Sequence, residues 1–184
     1  MALSTYVALL RGINVGGNNV IPMKALAATF EKMKLSNVKT YIASGNVIFQ
    51  CETCDVRKLE KRLEAALKKA HAYDATVVLK TRAELLAIAK GIPRAWKKPT
   101  DDVRYYVCFL RHEVDEPAVV DQLSPKKEIE QLTYKAGALY WSARKDDLTR
   151  TGMAKLPSHP LYKKITVRNL NTTLKLAELL QPLS

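Results

Sequence analysis

Cysteine is scarce in this chain, at three of 184 residues. An odd count, in a chain long enough to bury a core, excludes a disulfide framework as the source of stability. Aromatic residues are also few, at 7%. Tyr105-Tyr106 and Tyr140-Trp141 fall on expected strands, but no basic-aromatic run of the kind that stacks bases is present. No stretch of about 18 apolar residues occurs, so no membrane partner is expected. The first residues, Met1-Ala2-Leu3-Ser4-Thr5, hold no charged segment and no long apolar run. The expectation is a cytoplasmic protein without a signal peptide. His71, His112 and His159 stand far apart, and spacing assembles no Ser/His/Asp or Cys/His arrangement and no pair of carboxylates. Cys51-Glu52-Thr53-Cys54 is a lone C-x-x-C that lacks the two further ligands a zinc site needs. No catalytic residue is named, and neither a metal nor a cofactor is expected.

Acidic residues are outnumbered. Eighteen Asp and Glu face thirty Lys and Arg, for a net charge of +12 and a pI near 9.6. Such a balance favours polyanionic partners and is neutral about fold. It is also uneven. Residues 80–98 carry Lys80, Arg82, Lys90, Arg94, Lys97 and Lys98 against Glu84, whereas residues 99–125 are acidic. The basic segment, which also holds Trp96, is the first place to look for a nucleic-acid footprint.

Glycine numbers only seven, yet three stand in Arg11-Gly12-Ile13-Asn14-Val15-Gly16-Gly17-Asn18-Asn19. That stretch packs poorly, but it makes a loop that holds φ > 0 and aims backbone N–H groups outward. Arg11 stands at its mouth. Gly12-x-x-x-x-Gly17 opens like a Walker A motif, but Asn18-Asn19 replace the required Lys-Ser/Thr, and G-x-G-x-x-G fails too. The loop therefore marks a place for an anion or polar ligand without the parts for nucleotide triphosphate hydrolysis.

Periodicity orders the rest. Residues 6–10 read as a buried strand, and residues 23–35 as a helix started by Pro22. Residues 38–43 and 47–51 read as strands around the turn Ser44-Gly45-Asn46. Residues 56–70 form an amphipathic helix capped by Asp55, and residues 75–79 a strand. The resulting β-α-β-β-α-β order is the split βαβ, or ferredoxin-like, arrangement. A short helix over 82–90 leads into a linker with Pro93 and Pro99. A second round follows: a strand at 104–110, a short helix at 115–123, a hairpin from 128–134 and 138–142 around Lys135-Ala136-Gly137, an irregular or helical stretch at 147–163, and a final helix at 170–180. The predicted fold is α+β, two ferredoxin-like units packed together, with antiparallel sheets and helices on one face. The predicted division is 1–80 for the first unit, 81–103 for helix and linker, and 104–184 for the second unit.

This order has a geometric consequence. The first and second strands run the same way, so the loop at 11–19, the hairpin at 44–46 and the turn near residues 71–74 meet at one end of the sheet.

Three segments together resemble a known family. They are Leu9-Leu10-Arg11-Gly12-Ile13-Asn14-Val15-Gly16-Gly17, Thr40-Tyr41-Ile42-Ala43-Ser44-Gly45-Asn46-Val47-Ile48-Phe49, and Thr166-Val167-Arg168-Asn169-Leu170-Asn171-Thr172-Thr173-Leu174-Lys175-Leu176. The chain is similar to the bacterial family called domain of unknown function 1697. The resemblance implies two ferredoxin-like units in a cytoplasmic protein and supplies no activity. The favoured reading is a binding module for an anionic or phosphate-bearing ligand, with a small molecule and nucleic acid both candidates. Arg11 and Arg168 would pair with the anion. Gly12, Gly16 and Gly17 would allow close backbone approach, and Asn14, Ser44, Asn46 and Asn169 would orient the ligand. Arg168 is expected at a solvated mouth, with Asn169 or Asn171 capping the helix that follows. Two alternatives stay open: an enzyme acting on a phosphorylated or nucleotide-like metabolite, and a purely structural or interaction protein.

Overall fold

A computed structural model of the chain describes residues 3–14 and 20–181. It divides into two compact units, Met1–Leu85 and Leu86–Ser184. The boundary falls inside the helix expected over 82–90.

The first unit holds strand β1 (Leu3–Arg11), helix α1 (Met23–Lys32), β2 (Ser36–Tyr41), β3 (Asn46–Glu52), α2 (Val56–His71) and β4 (Thr76–Thr81). The sheet order is β2-β3-β1-β4 with every neighbour antiparallel, the ferredoxin-like topology that the element order predicts. Alternation puts Tyr6, Ala8 and Leu10 of β1 on one face with Val47, Phe49, Val77 and Leu79. Leu26 and Phe30 of α1 and Leu59, Leu63 and Leu67 of α2 close over them. Phe49 stacks on Tyr6 at 5.8 Å and meets Phe30 edge-on at 5.5 Å. Val7 and Leu9, on the opposite face, are buried as well, so β1 reads as an unbroken apolar run and not as an alternating one.

Helix α2 forms where expected. Asp55 caps it by accepting from Lys58 N at 3.1 Å. Its leucines recur every fourth residue on one stripe. The stripe is flanked by Glu60 and Glu64, whose carboxylates accept from Leu79 N at 2.9 Å and Val77 N at 3.0 Å. Strand β4 is an edge strand, and these two bonds occupy the outward N–H groups that would otherwise template pairing with another chain.

Helix α3 (Arg82–Gly91) follows. The second unit then runs β5 (Val103–Leu110), α4 (Val119–Gln122), β6 (Glu130–Lys135), β7 (Ala138–Arg144), β8 (Ile165–Asn169) and α5 (Leu170–Leu179). Its sheet order, β6-β7-β5-β8, repeats the first topology. The helix expected over residues 115–123 is shorter: a 3-10 turn at His112–Val114 precedes the four-residue α4. Strand β8 is the element that periodicity missed. In place of the second crossover helix, three 3-10 segments carry the chain: Lys145–Arg150, Met153–Ser158 and Pro160–Lys164. Pro157 and Pro160 forbid a continuous α-helix there.

Buried Glu130 holds this irregular crossover to the sheet. Its carboxylate accepts from Lys126 N at 2.7 Å, Gly152 N at 2.5 Å and Trp141 Nε1 at 2.8 Å. Met153, Leu156 and Leu161 then pack on Cys108, Leu139 and Ile165. On the other face of this sheet Trp96 lies 5.1 Å from Tyr105 and 6.1 Å from Tyr140, and Tyr140 Oη donates to Ile88 O at 2.7 Å.

Candidate functional site

Strand β1 ends at Arg11, whose carbonyl accepts a short hydrogen bond from Tyr73 Oη. The chain turns at Gly12, with φ +73°, a value that a side chain would strain. Ile13 returns to the core, only 1% exposed. Asn14 follows with φ +52°, the left-handed region that asparagine tolerates better than most residues. Its side chain clamps the loop. Oδ1 accepts from Ile21 N at 2.8 Å, and Nδ2 donates to Ile21 O at 3.1 Å. The same Nδ2 donates to Ala43 O at 2.8 Å and so ties the loop to the β2–β3 hairpin.

The hairpin is built to receive it. Leu10 N donates to Gly45 O at 2.8 Å. Gly45 has φ +76°, and a Cβ there would lie 2.7 Å from Ile13 Cδ1. Only glycine meets both conditions. Asn46 is fully buried, and its Nδ2 donates to Tyr41 O and to Ser44 Oγ, both at 3.0 Å. The loop, the hairpin and the turn before β4 therefore meet at one sheet end, as the split βαβ order requires. The register agrees, with Leu9 opposite Asn46 and Arg11 opposite Thr76.

Helix α1 opens at this same end. Pro22 stands at its N-cap without a side-chain cap, no acidic residue occupies its first turn, and Lys24 is exposed there. A helix start of this kind presents backbone N–H groups and positive potential. Arg11 is half-buried and Gly12 exposed. Gly16 and Gly17, with the rest of residues 15–19, lie outside the described residues. Asn14 and Asn46 do their bonding within the loop and hairpin, so they shape the site's walls. Tyr73 was missed as a member of this constellation, although the placing of the turn at 71–74 was the signal for it.

The remaining predicted site residues belong to the second unit. Arg168 is buried at 7% exposure, not at a solvated mouth. Its Nη1 donates to Thr166 Oγ1 and Val167 O, both at 2.9 Å, and burial lowers its guanidinium pKa to about 10. Alternation explains the burial: Arg168 belongs to β8, opposite Val107 of β5, and sits on an enclosed face of the sheet. Asn169 is exposed and caps α5, accepting from Thr172 N at 2.8 Å. It also lines an open cleft of about 350 Å³ with Arg104, Tyr105 and Asn171.

The basic segment at 80–98 does not form one exposed stripe. Lys80 is fully buried and Trp96 only 5% exposed. A more continuous basic surface lies on α2. With Glu60 and Glu64 drawn to β4, the helix exposes Arg57, Lys58, Lys61, Arg62, Lys68 and Lys69. Among the described residues no cluster of three or more His, Cys, Asp or Glu is placed to hold a metal ion, and no helix is long and apolar enough to cross a membrane.

Comparison with known proteins places these observations. The conserved bacterial protein SP0830 from Streptococcus pneumoniae is similar in structure, with a TM-score of 0.83 and 26% sequence identity over 98% of this chain and 100% of that one. Among curated proteins, none matches the chain. The family described as a protein of unknown function, DUF1697, matches residues 3–140. That span includes the loop at 11–19 and the hairpin at 44–46 and stops short of Arg168. The chain belongs to the DUF1697 family.

Proposed function

We propose that the chain is a binding module for an anionic, phosphate-bearing ligand, held at the loop end of the first unit. One observation carries this reading: the glycine-rich connection from β1 runs into an α1 N-terminus with no side-chain cap and no acidic residue in its first turn, where Lys24 is exposed. Helix starts after glycine-rich loops bind phosphate through backbone N–H groups and the helix dipole. Arg11 supplies the planar donor set that suits phosphate oxygens. Nucleic acid is the ligand class that the +12 charge and the exposed cations of α2 favour. The reading also takes the protein to be cytoplasmic. Arg168 and Asn169 have no part in it.

The test is thermal unfolding with inorganic phosphate, a nucleoside monophosphate or single-stranded RNA at low salt. A ligand at a hundred times its Kd stabilises by about 2.7 kcal/mol, which moves the midpoint by several degrees. The expected result is a shift with at least one phosphate-bearing probe that Arg11→Ala removes. No shift with any of the three refutes the proposal.

A further inference from the structure

At the other end of β1, where Ser4 pairs with Cys51, a second cleft of about 430 Å³ opens in the first unit. Cys51 and Cys54 of Cys51-Glu52-Thr53-Cys54 line it, with two cations, Lys34 and Arg62, against one carboxylate, Glu52. Cys51 is half-buried near the end of β3, while Cys54 is exposed just before the Asp55 cap of α2. The two cysteines stand three residues apart on one connection, between the end of β3 and the start of α2, and line the same cleft. The backbone at Cys54 is steadied by a bond from its N–H to Tyr6 Oη at 3.4 Å.

We infer that Cys51 and Cys54 form a reversible dithiol/disulfide site that exchanges with small, carboxylate-bearing disulfides. The Cys54 thiolate attacks one sulfur of the incoming disulfide, and the first small thiolate leaves. Cys51 then loses its proton and attacks the Cys54 sulfur, closing the intramolecular bond and expelling the second small thiolate. Two protein thiols are oxidised, and one small disulfide is reduced to two thiols. The order of attack follows access: Cys54 is exposed, whereas burial and the neighbouring Cys54 push the Cys51 thiol up to about 11, so it acts second. Arg62 and Lys34 provide the cations that a carboxylate-bearing disulfide would meet in the cleft. Cys108 takes no part, since it is fully buried, with its thiol pushed up to about 12. The site lies at the opposite end of the sheet from Arg11, so its fate and that of the phosphate site are separate.

The experiment treats the reduced full chain with oxidised glutathione, or with neutral hydroxyethyl disulfide, and follows intact mass and cysteine-containing peptides. The expected product is a chain lighter by two hydrogens, with Cys51 linked to Cys54 and restored by dithiothreitol. Cys51→Ser should stall as a glutathione adduct on Cys54. Arg62→Ala should slow the reaction with oxidised glutathione several-fold and leave that with the neutral disulfide unchanged. A stable adduct on the unsubstituted chain, linkage between two chains, or no reaction at Cys54 overturns the inference. Equal slowing of both reagents by Arg62→Ala removes the carboxylate preference.

Discussion

Arg168 illustrates how one residue changes meaning with its surroundings. On a helix-flanking loop it would be a ligand anchor; on the enclosed face of β8 it is a scaffold group that satisfies Thr166 Oγ1 and Val167 O. Removing it strands those acceptors and leaves the space of a long side chain empty. We expect Arg168→Ala to cost about 2–4 kcal/mol of unfolding free energy in a denaturant titration, since each unsatisfied buried group costs about 1–3 kcal/mol. A loss within the ±0.5 kcal/mol of ordinary surface changes would return Arg168 to the surface. Asn14 makes the opposite case. Its residue type suited a ligand contact, yet its amide bonds both backbone groups of Ile21, so its role is to fix where the loop begins and ends.

At the scale of elements, the second crossover shows what replaces a helix. Three 3-10 segments leave many backbone groups without regular partners, and the carboxylate of Glu130 gathers those of Lys126 and Gly152 along with the Trp141 indole. Glu130→Ala should destabilise the protein by about 3–5 kcal/mol, measured by denaturant unfolding, because several buried donors lose one shared acceptor. A loss below about 1 kcal/mol would mean that the crossover holds without it. Helix α2 offers a pH test. The bond from Lys58 N holds the Asp55 carboxyl below the usual aspartate range. A depressed folded pKa gives stability that is present above the ordinary value and is lost as pH falls through the folded one. The melting temperature of Asp55→Ala should therefore lie below that of the unsubstituted protein at neutral pH, and the gap should close in acid. A gap constant down to the lowest pH at which the protein folds would rule out the charged cap.

For the whole molecule, the excess of thirty basic over eighteen acidic residues is a statement about association, and folding decides where it acts. Burial withdraws Lys80 and Trp96 from any surface, while α2 turns its two glutamates inward and six cations outward. If nucleic acid is the ligand, its affinity should fall steeply with salt, because each neutralised phosphate releases a counterion. The combined change of Lys58, Lys61 and Lys69 to Glu should weaken RNA binding in fluorescence anisotropy and flatten the salt slope. An unchanged slope would move the contact away from α2, and no binding at low salt would remove nucleic acid as the partner.

The sequence alone determined the order of elements in the first unit, the Asp55 cap, and the meeting of the loop at Arg11 with the hairpin at Ser44. These follow from short-range physics: apolar periodicity, turn chemistry, and the direction each strand must run. Strand β8 escaped notice because Ile165-Thr166-Val167-Arg168-Asn169 is brief, holds a charge, and follows a proline-broken segment. The burial of Lys80 and Arg168, and the inward turn of Glu60 and Glu64, were decided only by tertiary structure. A charged side chain reads as surface until a second layer encloses its face or an edge strand presents N–H groups for it to accept, and both conditions join residues that the sequence keeps apart.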